Sequence, residues 1–402
     1  MQTSAKQNYG PIQIETLVNY YPTYDILAKA LSTMETKPRR LNLYIDLKNI
    51  TQTVYLEFMV RYLIDDTVSM GRVAPWIFVA FIKFIIYHKK WALKNGIDIH
   101  FYAFFESGSS FFHIENCKGY KSNRKIDQFY GLTRTDVDLF RDIWQKNLML
   151  IEKACHKMTN VSIIHLKKLE ADFVPYYLMS RGLVESGPNI LHMTYSTDHD
   201  LLQNALAAEN SIIFKRVKKN LEIIQKDEIV NKLVKKVVNL PIEYFPIIMG
   251  ITGDTGDAVP QIKKGLGPIG ATKCVDEIIN LCGGIENIFE NVYSKKPLFE
   301  NVVASKNWNK NTKIVVDAEN AFRRNLNLVS FECLCRNLDK PRHTNWIQVK
   351  NHIKQKVEEN NRRSNKEALL GVMLKMDIFF EQYEFDILMD DAIPFEERQN
   401  TI

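Results

Sequence analysis

At 402 residues, with 46% hydrophobic and 25% charged side chains, the chain has room for one large domain or two ordinary ones, and wholesale disorder is excluded. A net charge of +6 is mild for this length, so any polyanion-binding role must rest on clustered lysines and not on a uniform coat. Six cysteines lack paired zinc spacings, the N-terminus has no apolar signal core, and the longest apolar run (Ala74 to Tyr87) is broken by Lys83; together these read as a soluble intracellular protein with reduced thiols and no membrane span.

Residues 1–40 are polar and aromatic, carry a weak helical pattern from Ile12 to Ser32, and read as an N-terminal extension. Leu41 to Leu47 (LNLYIDL) is an apolar run with one acid, Asp46, near its carboxyl end. Such a run suits a buried parallel strand, and α/β sheets place ligands at the carboxyl ends of strands. Alone, Asp46 is better explained as the cap of the next helix. Residues 52–95 read as two helices, the second strongly apolar and stopped by Asn95-Gly96. Ile97 to Phe105 is a second strand, ending in Glu106. Beyond it, Phe111, Phe112 and Tyr120 are interleaved with Lys118, Lys121, Arg124 and Lys125. Cations suit phosphates and rings suit bases, although a solvated basic loop has the same composition. A long amphipathic helix covers about Arg134 to Lys157.

Val161 to Leu166 is a third strand, followed at once by Glu170 and Asp172 and then a helix. Ile190 to Tyr195 is a fourth, followed by Ser196-Thr197-Asp198-His199-Asp200 and another helix. Either acid pair, taken singly, is an ordinary N-cap. Ile212 to Val217 makes a fifth strand, leading into a basic hairpin or helix. The stretch from Ile251 to Cys274 (ITGDTGDAVPQIKKGLGPIGATKC) sets Asp254 and Asp257 three apart before a proline. Gly265, Gly267 and Gly270 would let the backbone approach a phosphate, and a helix starting near Ala271 would aim free N–H groups there. A plain surface turn has the same Gly and Asp content. That helix should stop at Gly283-Gly284, and charged helical segments run from Pro341 to an acidic, aromatic end (FFEQYEFDILMDD) that reads as a solvated terminal helix.

Acids therefore follow four successive strands and recur in the glycine-rich turn: Asp46, Glu106, Glu170 and Asp172, Asp198 and Asp200, Asp254 and Asp257. A parallel sheet gathers its strand ends on one edge, where so many carboxylates would raise one another's pKa and need cations. Two Mg²⁺ ions answer that need, because each takes few carboxylates and keeps waters and phosphate oxygens. Paired metals support in-line phosphoryl transfer, one activating water and the other steadying the leaving oxygen. Independent helix caps would require five coincidences.

The pieces LYIDLKN, YKSNRK, LEADF, STDHDLLQ and GDTGDAVP occur in an order that resembles the flap-endonuclease-like 5′ nucleases, a PIN-like family, and within it the RNase H type of T-even phages. The likeness spans about residues 41 to 332 and takes in NAFRRNLNLVSF. It implies an α/β fold with a mostly parallel central sheet and flanking helices, a helical arch near the active site, and a helix–three-turn–helix. It divides the chain into a nuclease core over 41–240 with the arch at about 107–158, a helical subdomain over 241–340, and a charged helical tail over 341–402. Asp46, Glu106, Glu170, Asp172, Asp198, Asp200, Asp254 and Asp257 match metal-site acids, with Asp46 and Asp198 among the catalytic residues. Lys121 and Arg124 match arch cations that steer the scissile phosphate and stabilise its developing charge. Lys118, Tyr120, Lys125, Lys263, Lys264, Gly265, Gly267, Gly270, Thr272 and Lys273 would grip nucleic acid, and in this family the turn often holds K⁺.

Three departures from the family pattern stand out. Glu106 replaces the usual Asp, Phe173 replaces the second Asp of EADD, and the turn is one residue longer before Gly265, with its lysine displaced to Lys273. The resemblance implies a Mg²⁺-dependent nuclease, able to use Mn²⁺, acting at 5′ ends or flaps of duplex DNA or RNA·DNA in primer removal or repair. A clamp or single-strand-binding protein is the partner that the acidic aromatic tail would suit. The rival readings are a junction-binding scaffold with weakened catalysis and a PIN-type ribonuclease.

Overall fold

The structure is a computed structural model that describes residues 24–32, 34–51, 70–121, 134–196, 198–217, 220–234, 238, 240–299, 308–359, 365–374 and 382–389. Arg124, Lys125, the first helix expected after residue 52, most of the N-terminal extension and the extreme C-terminus lie outside these residues.

Six strands form one sheet: β1 (Arg40–Asp46), β2 (Asp98–Ser107), β3 (Val161–Lys167), β4 (Ile190–Tyr195), β5 (Ser211–Val217) and β6 (Asn220–Ile224). Their order is β3-β2-β1-β4-β5-β6, with β1 to β5 parallel and β6 antiparallel on the edge. The basic stretch expected as a hairpin or helix holds both, the β5–β6 hairpin and then a short helix, Ile229–Val234. From β1 the chain builds outward first through β2 and β3, then through β4 on the other side. That reversal puts a crevice at the carboxyl ends of β1 and β4, where open α/β sheets bind ligands.

The central strands are apolar on both faces because both faces are covered. Alternate β1 side chains point to opposite sides. Leu41, Leu43 and Ile45 join Phe78, Phe81, Phe84 and Ile85 of the Met70–Lys94 helix in one core. Tyr44 joins Tyr102, Phe104, Ile164 and the Val174–Ser180 helix in another. Phe173, where the resembled pattern has an acid, is fully buried in that second core, so an ionised residue there would lose its hydration. A third core joins the Phe245–Thr252, Val275–Leu281 and Glu319–Val329 helices. There Gly250 is held so close to Leu326 that a Cβ would sit 2.6 Å from its Cδ2.

Two expectations change. The helix placed at Ala271 is two pieces, Pro268–Thr272 and Val275–Leu281. Pro268 opens the first, as proline favours the first helical turn. The solvated terminal helix is also corrected. Gln382–Met389 buries Phe385, Leu388 and Met389 against the Met70–Lys94 helix, a spacing of three and four that makes one apolar face. Lys83 pairs with Glu384, and the buried Lys89 donates to the Leu388 carbonyl at 3.0 Å. The Thr344–Glu359 helix likewise lays Trp346, Val349 and Ile353 against the second core. No helix among the described residues is long and apolar enough to cross a membrane.

Candidate active site

All eight acids singled out in the sequence lie at the carboxyl edge of the sheet or in the turn facing it. Asp46 ends β1 and accepts the Asn49 backbone N–H at 3.0 Å, so it also caps the helix that starts at Leu47. Glu106 is the penultimate residue of β2, and Glu170 and Asp172 follow β3. Beyond β4, Ser196 Oγ accepts the Asp198 N–H at 3.0 Å, and Asp198 Oδ1 accepts the Asp200 N–H at 3.1 Å. Capping and metal binding do not exclude each other here: Asp46 and Asp198 serve their local turns and also face the other acids.

Burial raises the Asp46 carboxyl from 3.8 to about 7, with Glu106 and Asp198 pushing the same way. Asp172 rises far above its ordinary value through burial and the charges of Asp46, Asp198, Glu106 and Glu170. Asp200 does so through burial and Asp198, Asp254 and Asp257. Asp254 and Glu170 shift upward chiefly from burial, Asp254 beside Asp257, and Glu170 against the opposing pull of Lys121. Every one of the eight acids therefore acts on at least one other.

Only two lysines answer this charge among the described residues. Lys48 Nζ lies 2.6 Å from Glu106 Oε1, while Lys121 Nζ lies 2.8 Å from Glu170 Oε2 and 3.7 Å from Asp257 Oδ2. The donors are all hard oxygens, as Mg²⁺ or Mn²⁺ prefers. No group of three or more His, Cys, Asp or Glu side chains among the described residues forms a ready metal cage. The carboxylates are strung along the edge, which suits ions that each take one or two of them and fill their shells with water and phosphate oxygen.

The turn is built by its own residues. Asp254 Oδ1 accepts the Gly256 N–H at 2.8 Å, and the Asp254 carbonyl accepts the Val259 N–H at 2.7 Å. Gly253 has φ +65, and a Cβ there would lie 2.5 Å from two carbonyl oxygens. Lys263, Lys264 and Lys273 are exposed, and none forms an ion pair among the described residues. The glycines also have local contacts. The Gly265 N–H is taken by Gln261 Oε1 at 3.1 Å, and Gly270 is required by Leu266, whose Cδ1 would lie 2.7 Å from a Cβ. Gly267 is open, and the Thr272 hydroxyl donates to the Ile269 carbonyl.

Lys118 is exposed; Tyr120, read as a base-stacking ring, is otherwise engaged. Its ring stacks on His113 with centroids 4.5 Å apart, and its hydroxyl donates to Asp257 Oδ2 at 3.0 Å. Sequence reasoning missed this link and the Lys48–Glu106 pair. Lys48 stands two residues after Asp46 in LYIDLKN, a signal that could have been used; nothing local marks the partner of Tyr120.

Among solved structures, the chain resembles a bacteriophage T5 protein co-crystallised with metal ions, at a TM-score of 0.53 and 17% identity over 81% of this chain and 100% of that one. The T5 5′-exonuclease with zinc bound gives 0.52 and 17% over the same shares. The T5 flap endonuclease with DNA and metal ions gives 0.50 and 17% over 80% and 100%. The chain has the fold of the flap-endonuclease-like 5′ nucleases. No protein-family model matches it, and no curated protein matches it significantly. The chain's six-stranded, mostly parallel sheet with flanking helices matches the 5′-nuclease fold.

Proposed function

We propose that the chain is a divalent-metal-dependent, structure-specific 5′ nuclease acting on 5′ ends or flaps of duplex DNA, with RNA·DNA hybrids as a further substrate class. The observation that carries this reading is the row of eight interacting acids at the crevice between β1 and β4, with burial raising several of their carboxyls. One Mg²⁺ or Mn²⁺ would take one or two carboxylates from among Asp46, Glu106, Glu170, Asp172 and Asp198, and a second would take one or two from among Asp200, Asp254 and Asp257, with water and phosphate oxygens completing each shell. Bound ions supply Lewis-acid polarisation of the phosphate and offset the crowded negative charge. Lys121 exchanges its Glu170 partner for a phosphate oxygen and steadies charge as it develops, with Arg124 as the second arch cation. Lys263, Lys264 and Lys273 present point charges to duplex phosphates, with K⁺ at the same turn. Primer removal and flap processing in replication or repair fit this activity.

The test is cleavage of a 5′-flap duplex with Mg²⁺. Asp198→Asn or Asp200→Asn should abolish cutting and keep binding; wild-type turnover by either variant sinks the assignment. The rival scaffold reading draws on one observation, the Lys48 ammonium seated on Glu106. A junction bound and left whole by the wild-type chain would favour it.

A further inference from the structure

We infer that Tyr120 is a positioning residue, fixing the Asp257 carboxylate and tying the basic Lys118–Lys121 segment to the second metal subsite; this rests on the nuclease reading. The Tyr120 hydroxyl meets Asp257 Oδ2 at 3.0 Å, and the Lys121 N–H meets the Asp257 carbonyl at 2.8 Å. Cys117 Sγ adds a longer contact, 3.9 Å from the Ala258 carbonyl. The two strands of this junction are unusual in backbone as well: Lys121 has φ 56 and Ala258 φ 59, a region that β-carbon-bearing residues occupy only when their surroundings hold them.

Both sides are braced by one helix, Glu319–Val329. On one side, His113 Nε2 donates to the Leu328 carbonyl at 3.2 Å, and Ser110 Oγ lies 2.7 Å from Nδ1, so the imidazole backing Tyr120 cannot turn. Burial, with the Lys121 charge, lowers His113 to about 4 and keeps the ring neutral. On the other side, Asn325 Nδ2 donates to the Gly250 carbonyl at 3.1 Å and the Pro260 carbonyl at 2.8 Å, clamping both ends of the aspartate turn. A pull on Lys118 or Lys121 by a phosphate strand is thus passed to Asp257. By linkage, a cation at Asp257 must alter nucleic-acid affinity by the factor that nucleic acid alters the cation's.

Tyr120→Phe removes the hydroxyl and leaves the ring on His113. Mn²⁺ titrated into the full chain by calorimetry, without nucleic acid, should bind one site about threefold to tenfold more weakly, the loss of one charge-assisted hydrogen bond. In flap cleavage, kcat should fall about tenfold with KM within about twofold, as for an interaction realised in the transition state. Asp257→Asn keeps an acceptor for the phenol but weakens the site. In that background Tyr120→Phe should add nothing to the Mn²⁺ deficit, whereas a merely structural tyrosine would give additive losses. Coincident Mn²⁺ isotherms for wild type and Tyr120→Phe, or additivity in the double variant, overturn the inference. A wild type that binds Mn²⁺ yet leaves the flap whole overturns the nuclease reading, and the Mn²⁺ comparison still decides the role of Tyr120.

Discussion

Replacing Asp46 by Asn should make the metal-free protein more stable while destroying its activity. The Asp46 carboxyl is raised from 3.8 to about 7, a shift of about three pKa units, worth roughly 4 kcal/mol at full value. Half-burial and sharing of the penalty with Glu106 and Asp198 reduce this to roughly 1–2 kcal/mol. Asparagine keeps an oxygen for the Asn49 N–H, so the local cap survives. The sign follows from the upward shift. Below pH 4 both folded and unfolded chains hold the proton, and there is no penalty. Between pH 4 and pH 7 the unfolded chain releases it first, so wild-type stability drains as pH rises and the loss is complete above pH 7. Scanning calorimetry in chelator at pH 8 should show Asp46→Asn melting about 2–4 °C above wild type, with the gap shrinking to about a third at pH 5. Added Mg²⁺ should raise the wild type more than the variant. A variant that melts at or below wild type at pH 8, or a gap indifferent to pH, would refute the crowded-carboxylate account.

Lys121→Met should lower flap cleavage by about 10²–10³-fold, because Lys121 reaches both Glu170 and Asp257, and should also lower the melting point in chelator by unpairing Glu170. Unchanged cleavage would remove Lys121 from the site. Gly253→Ala meets two carbonyl oxygens at 2.5 Å with φ +65, and should cost about 2–4 kcal/mol in urea unfolding; a loss under 1 kcal/mol would contradict the turn geometry. Leu388→Ala should cost about 2–4 kcal/mol and speed protease cutting near the C-terminus, whereas a solvated helix would lose almost nothing.

The five parallel strands were legible because each is an apolar run, and four of them end in an acid or reach one within a few residues. The Tyr120–Asp257 bond joins residues 137 apart, and no periodicity records such a pairing. The docking of Gln382–Met389 was hidden for another reason. Its acids, Glu384 and Asp386, suggest a solvated face, although Phe385, Leu388 and Met389 keep the spacing of a buried one. Glycine as a residue type reports freedom without saying what uses it, and the packing of Leu266 against Gly270 is not written in the local sequence.

The position of that last helix bears on how the chain is made. Lys83 and Lys89 emerge about 300 residues before Glu384 and Leu388, to which they bind. Until residue 389 has been synthesised, the apolar flank of the Met70–Lys94 helix lacks part of its cover and a buried ammonium lacks one of its carbonyls. The core behind the carboxylate edge is therefore closed late, by a segment that carries none of the eight acids. A nascent or shortened chain would display the whole set of acids on a scaffold still open at the back.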